Sequence, residues 1–291
     1  TMVEYVGDVY RPPGEWRCFL LQATVGCSYN GCTFCGMYKS KKFYIKDLDE
    51  TIGDIRETAA MYNKFEKVFL CDGDAIIIPQ EDLLKILDEL RRDFPNLRLI
   101  STYAGPRSTM TKTPEQLRQL HEAGLGRAYL GVESGSDSVL RAVNKGAASA
   151  DMLRAGRALI DAGIDLWAII LIGLGGQVGS REHIASTVRL INEMRPNHLS
   201  SMNLTPVPGT KLYSQVERGE FQVLTPQQSL IETRALIEGL NVPKLHFTSD
   251  HASNYLPLKG TLPDERERML ALIDGALAGT VGIRSEGSRG L

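Results

Sequence analysis

Three cysteines, Cys27, Cys32 and Cys35, fall within the nine-residue stretch "CSYNGCTFC". Thiolates are soft ligands suited to zinc, copper(I) and iron–sulfur clusters, so their crowding points to a metal. A structural zinc site closes with four ligands. Here only Cys32 and Cys35 form a C-x-x-C pair, Cys18 and Cys71 are distant in sequence, and no histidine lies close by. A [4Fe–4S] cluster normally takes one thiolate per iron. Three thiolates leave one iron open, and an open position on a metal is where a small molecule binds. The spacing favours a cluster with a ligand of its own over a closed structural site.

Other residues able to do chemistry stand where short apolar runs end. "KVFLC" (Lys67–Cys71) leads into Gly73 and Asp74 of "DGD", "RAYLGV" into Glu133, and "DLWAIILIG" closes on Gly173. Such runs, bounded by glycine and acidic residues, read as strands. The first strand reads from "RCFLLQATV" (Arg17–Val25), and "LRLIST" and "HLSSMNLT" complete a set of six. Between them lie segments with helical periodicity. "QEDLLKILDELRRDF" carries acids early and bases late, matching its macrodipole. "TPEQLRQLHEAG" has proline in its first turn and glycine past its end. Further helices are expected near Pro226–Leu240 and Pro263–Leu277. Strands alternating with helices predict a parallel sheet with right-handed crossovers, either a doubly wound open sheet or an incomplete barrel.

Composition sets the class. With 43% hydrophobic and 23% charged residues, the chain is that of an ordinary globular protein. A net charge of −2 gives no global electrostatic case for nucleic acid or an anionic membrane as partner. No apolar run has transmembrane length, the opening lacks signal-peptide order, and crowded cysteines suit a reducing compartment, so a cytoplasmic location is expected. Thr1 ahead of Met2 reads as a cloning remnant. The expected organisation is a barrel core with its lead-in over 1–215, a helical and loop extension over 216–279, and a flexible glycine-rich tail over 280–291.

The cysteine loop resembles the cluster-binding motif of the radical S-adenosylmethionine (SAM) superfamily, in which three cysteines hold a [4Fe–4S] cluster and SAM chelates the fourth iron. Phe34 stands where that family usually has an aromatic residue, directly before the third cysteine. The common spacing there is C-x3-C-x2-C, whereas Ser28–Gly31 make this one C-x4-C-x2-C. A left-handed Gly31 would let the extra residue bulge. The resemblance runs in order over roughly residues 15–215. It implies that Gly73 and Asp74 in "CDGDA" receive the SAM amino group, as a "GGE"-like turn does in the family. It implies that Glu133 accepts bonds from the ribose hydroxyls, and that Lys145 in "VNKG" pairs with the SAM carboxylate. That last role is carried by a basic residue in the oxygen-independent coproporphyrinogen oxidases, the branch this region resembles. Gly173 is implied to lie against adenine, although the acid often found later in that motif is replaced by Gly175, Gly176 and Gln177. "LTPVPGTKLY" resembles a stretch in the same branch. Together these imply an α/β fold, a partial (βα)6 TIM-type barrel with parallel strands and a short C-terminal extension, not a doubly wound sheet.

The function so implied is that of an oxygen-sensitive radical SAM enzyme. A flavodoxin or ferredoxin would supply the electron that cleaves SAM to a 5′-deoxyadenosyl radical, which abstracts hydrogen from an unknown small-molecule substrate. The reaction would be that of an oxidoreductase, lyase or transferase. No second cysteine cluster, cobalamin domain or RNA-binding barrel is legible, which argues against sulfur insertion and tRNA methylthiolation. His251, Asn254 and Tyr255, in the polar and aperiodic segment "FTSDHASNYLPLKG", are candidate substrate contacts. Cys71, at the end of the second strand, is a candidate carrier or radical relay, although a lone cysteine on a buried strand is also a small hydrophobe. The alternative is a non-catalytic iron–sulfur electron carrier or a metal-stabilised binding protein, which would have no need of Asp74, Glu133 and Lys145 beyond the cysteine loop.

Overall fold

Apolar runs become strands and amphipathic segments become helices in the computed structural model, which describes residues 3–289. Thr1 and Met2, and with them the expected cloning remnant, lie outside the described residues, as do the last two residues of the expected tail. The elements in chain order begin with β1 (Phe19–Gln22), β2 (Thr24–Val25), β3 (Tyr44–Ile45), α1 (Leu48–Met61), β4 (Lys67–Cys71) and α2 (Gln80–Asp93). They continue with β5 (Leu99–Ala104), α3 (Pro106–Met110), α4 (Pro114–Glu122), β6 (Leu125–Glu133), α5 (Asp137–Ala142) and α6 (Ser149–Asp161). Then come β7 (Asp165–Ile172), α7 (Gly176–Met194), β8 (His198–Asn203), α8 (Lys211–Glu217), α9 (Pro226–Gly239), β9 (Leu245–Thr248), β10 (Lys259–Leu262) and α10 (Arg266–Leu277). Among the described residues no helix is long and apolar enough to cross a membrane.

The chain divides into two compact units. The first comprises residues up to Asn30, Met37–Leu130 and Arg154–Leu166; the second comprises Gly31–Gly36, Gly131–Leu153 and residues from Trp167 onward. The break expected after residue 215 falls inside the second unit.

In the first unit β1 pairs with β4, β4 with β5 and β5 with β6, all parallel. Val68, Phe69, Leu70 and Cys71 of β4 are all buried, as befits a parallel strand covered on both faces. α1 starts where Asp47 accepts from the Asp49 and Glu50 amides, and Thr113 and Gln116 form a reciprocal capping box at α4. The buried stripe of α2, with Leu83, Ile86, Leu87 and Leu90, adds to the core that Ile55, Phe69 and Phe94 build. Fully burying each such side chain contributes about 1.5–3 kcal/mol.

In the second unit β7 pairs parallel with β8 and β8 with β9, while β10 returns antiparallel to β9. The β9–β10 hairpin corrects the aperiodic reading of 247–260: Phe247 and Thr248 belong to β9, Lys259 and Gly260 to β10. α10 starts at Arg266, three residues later than expected. Within the stretch expected to be a flexible tail, Arg289 is tied down. That residue is buried, donates to the Ser253 carbonyl at 2.9 Å and to the Tyr255 hydroxyl at 2.8 Å, and lies over the Tyr255 ring. A glycine-rich sequence docks here because one long side chain finds a buried acceptor.

Candidate functional site

The cysteine loop leaves β2 through Gly26, whose φ of +76° suits glycine. Asp72, just past β4, holds that turn. Its carboxylate accepts from the Gly26 amide at 2.8 Å, the Gln22 side chain at 3.1 Å and Lys41 Nζ at 2.9 Å. The Gly73 amide donates to the Gly26 carbonyl at 3.0 Å. A Cβ on Gly73 would lie 3.2 Å from Cys27 Cβ, so the backbone approaches the first cysteine as only glycine allows.

Asp74 is buried beside this turn. It accepts from Ser28 Oγ at 2.8 Å and Ser108 Oγ at 2.7 Å. Burial raises its pKa to about 6, against the opposing hydroxyl bonds and a Gly105 amide. At neutral pH it is mostly a carboxylate, held in place by two serines. Cys71 is wholly buried at the end of β4, and burial first, then the Asp72 charge, pushes its thiol well up. A thiol so held is a poor nucleophile.

Cys32 and Cys35 belong to the second unit, where three backbone and amide bonds hold their loop. Thr33 N donates to the Val143 carbonyl at 2.9 Å, Leu212 N to the Thr33 carbonyl at 3.0 Å, and Asn144 Nδ2 to the Gly31 carbonyl at 2.9 Å. Phe34 packs against Val139, Val143, Leu171 and Leu174. Cys32 is buried, while Cys27 and Cys35 are half-buried. Among the described residues, no three His, Cys, Asp or Glu side chains are grouped closely enough to hold a metal ion. The donor chemistry nevertheless fits a cluster: three thiols in one short loop, the first beside a glycine cradle.

At the end of β6, Glu133 takes φ +66°, an uncommon conformation for a non-glycine residue. Lys145 Nζ lies 3.4 Å from its Oε1, and both side chains are only partly exposed. Past β7, Gly173 has φ +85° and donates its amide to Glu232 Oε1 at 2.8 Å. Of the three candidate substrate residues, Asn254 is buried and donates to the Ser201 carbonyl at 3.0 Å, and Tyr255 donates to Glu286 at 2.5 Å. Both are engaged in packing the second unit. His251, half-buried, meets Ser253 Oγ at 2.8 Å.

Sequence reasoning missed Asp72 and Glu232. The first was visible as the other acid of "CDGDA"; the second sits in a helix far along the chain and carries no local signal.

A profile of the radical SAM superfamily matches residues 21–190, more than half of the chain. The chain belongs to the radical SAM superfamily. Members of this superfamily bind a [4Fe–4S] cluster and SAM. The 4′-phospho-dehydrooxetanocin synthase of Priestia megaterium is 29% identical over 165 residues, 50% of this chain and 22% of its own. The heme chaperone HemW of Bacillus subtilis (strain 168) is 22% identical over 217 residues, 71% of this chain and 55% of its own. The chain thus spans 22% and 55% of the length of these curated relatives. Among solved structures, the radical SAM enzyme coproporphyrinogen III oxidase (HemN) from Escherichia coli superposes with a TM-score of 0.59 at 17% identity, over 93% of this chain and 61% of that one. The fold is therefore α/β with mostly parallel strands, of the partial TIM-barrel type of its radical SAM neighbours.

Proposed function

We propose that this radical SAM protein is an enzyme acting on a small molecule, with Cys27, Cys32 and Cys35 holding the cluster. When bound, the cluster and SAM supply reductive cleavage of SAM and hydrogen abstraction from the substrate. The observation that carries this reading is positional. Asp74 follows β4, Glu133 ends β6 and Gly173 follows β7, so three of the candidates stand at the C-terminal ends of strands of the parallel sheet, and the cysteine loop comes after β1 by way of the short β2. In parallel α/β barrels that end bears the active site.

The chain's own groups then have distinct work. Asp74, steadied by Ser28 and Ser108, accepts from the SAM ammonium. Glu133 accepts from the ribose hydroxyls and Lys145 pairs with the carboxylate; each neutralises the other when no ligand is present. Gly173 offers bare backbone to adenine. Phe34, packed against an apolar cluster, fixes the loop beside Cys35. A small low-potential electron-transfer protein, a flavodoxin or ferredoxin, supplies the electron. His251, Asn254 and Tyr255 stand as candidate substrate contacts, with Asn254 Nδ2 and the Tyr255 hydroxyl also bonded within the chain.

The test is anaerobic reconstitution, reduction with dithionite, addition of SAM and chromatography for 5′-deoxyadenosine. Wild type should form it and Cys32→Ala should not. Equal formation by both would sink the ligand assignment; none from fully loaded wild type would sink the enzyme reading.

A further inference from the structure

The second unit contains a buried polar network that the proposed chemistry does not use. His183 of α7 is wholly buried. Its Nε2 lies 2.8 Å from the Leu171 carbonyl, so that nitrogen carries the proton, and its Nδ1 accepts from Ser134 Oγ at 2.6 Å. The same Nε2 is 3.4 Å from Glu232 Oε1. Glu232, on α9, accepts from the Gly173 amide with Oε1 and from Ser180 Oγ of α7 with Oε2. Ser134 also accepts the Ser136 amide at 3.0 Å, where α5 begins. Two hydrogen-bonded paths therefore meet on α7: Ser134–His183–Leu171 ties the end of β6 to β7, and Gly173–Glu232–Ser180 ties the turn after β7 to α9 and α7.

Their outer ends are informative. Ser134 directly follows Glu133, whose backbone is left-handed, and the Gly173 amide belongs to the left-handed residue that ends β7. Glycine allows the second turn without fixing it, and a non-glycine residue does not favour the first, so a buried network can set both. The segment after Gly173 supplies no acid of its own, having Gly175, Gly176 and Gln177. A helix 59 residues away supplies one instead.

We infer that Glu232 is a positioning residue for SAM, holding through its bond to the Gly173 amide the strand-end turn that receives adenine, while His183 ties the Ser134 turn to β7 beside it. This rests on the SAM-binding roles proposed for Glu133 and Gly173. Burial supports it: a charged side chain is rarely placed in a protein interior unless its bonds do something. Burial raises the Glu232 pKa to about 7 and lowers that of His183 to about 4, so the imidazole is neutral and acts as a hydrogen-bond relay.

SAM affinity is measured by calorimetry on reconstituted protein, with iron content and thermal midpoint recorded for every variant. Glu232→Ala leaves the Gly173 amide buried without an acceptor and should weaken SAM binding about tenfold or more at unchanged iron content. Glu232→Gln keeps an acceptor oxygen and should restore affinity to within about threefold. In SAM-free protein, amide exchange over residues 172–176 should quicken in Glu232→Ala alone. Ile273→Val, a core change on α10, serves as the stability control and should leave affinity unchanged. If Glu232→Ala fails to load iron, Ser180→Ala replaces it, with an expected loss of about threefold. Unchanged SAM affinity in Glu232→Ala, or in Ser180→Ala where that variant stands in, overturns the inference while leaving the enzyme reading intact. Absence of SAM binding by wild type overturns both.

Discussion

Glu133 pairs a strained backbone with a carboxylate at a strand end. Such a conformation costs roughly 1–3 kcal/mol and persists where function needs it. Glu133→Gly should therefore gain up to about 1 kcal/mol in urea unfolding, since glycine adopts φ > 0 freely, while SAM affinity falls at least tenfold. A variant that loses stability and keeps affinity would contradict the assignment. Glu232 and His183 allow a sharper test through pH. Glu232 has a folded pKa near 7 against an unfolded value of 4.5, so the folded protein keeps a proton that the unfolded chain has lost. Its contribution to stability falls as pH rises through that window. His183 runs the other way. Its folded value near 4 lies below the unfolded 6.5, and its contribution falls as pH drops from 6.5 towards 4. In wild type the two slopes largely cancel between about pH 4.5 and 6.5. Glu232→Gln removes one of them, so its stability should rise from pH 5 to 7 more steeply than wild type, by about 2 kcal/mol. Urea midpoints at three pH values decide it; parallel curves would refute the opposed titrations.

Among the elements, α9 carries Glu232 and is started by a capping box between Thr225 and Gln228. Thr225→Ala should cost about 1 kcal/mol, read from thermal or urea unfolding; no change would mean that the cap is idle. Arg289→Ala should cost roughly 1–3 kcal/mol, because it leaves the Ser253 carbonyl without that donor and uncovers Tyr255; a loss under a few tenths would restore the expected frayed end. These elements also show what a sequence conveys. β4 was legible to the residue because a parallel strand buried on both faces is a continuous apolar run. β9 and β10 were not, being four residues each, with "KGTL" held by its backbone pairing to β9 instead of by its side chains.

For the whole molecule, alternation of strands and helices predicted a parallel α/β fold, and the superfamily match over residues 21–190 agrees with the resemblance carried by three cysteines. The positions of Asp74, Glu133 and Gly173 at strand ends were readable because each follows a recognisable apolar run. What steadies them was not. Ser108 lies 34 residues from Asp74, and Glu232 lies 59 from Gly173, so only folding brings each pair together. The central claim is that three thiolates hold a cluster whose remaining iron binds SAM. The most direct test is the electron paramagnetic resonance spectrum of the dithionite-reduced, reconstituted protein with and without SAM. The spectrum should change on addition of SAM in wild type, with no cluster signal in Cys32→Ala. A fully loaded wild-type protein whose spectrum is indifferent to saturating SAM would contradict the account.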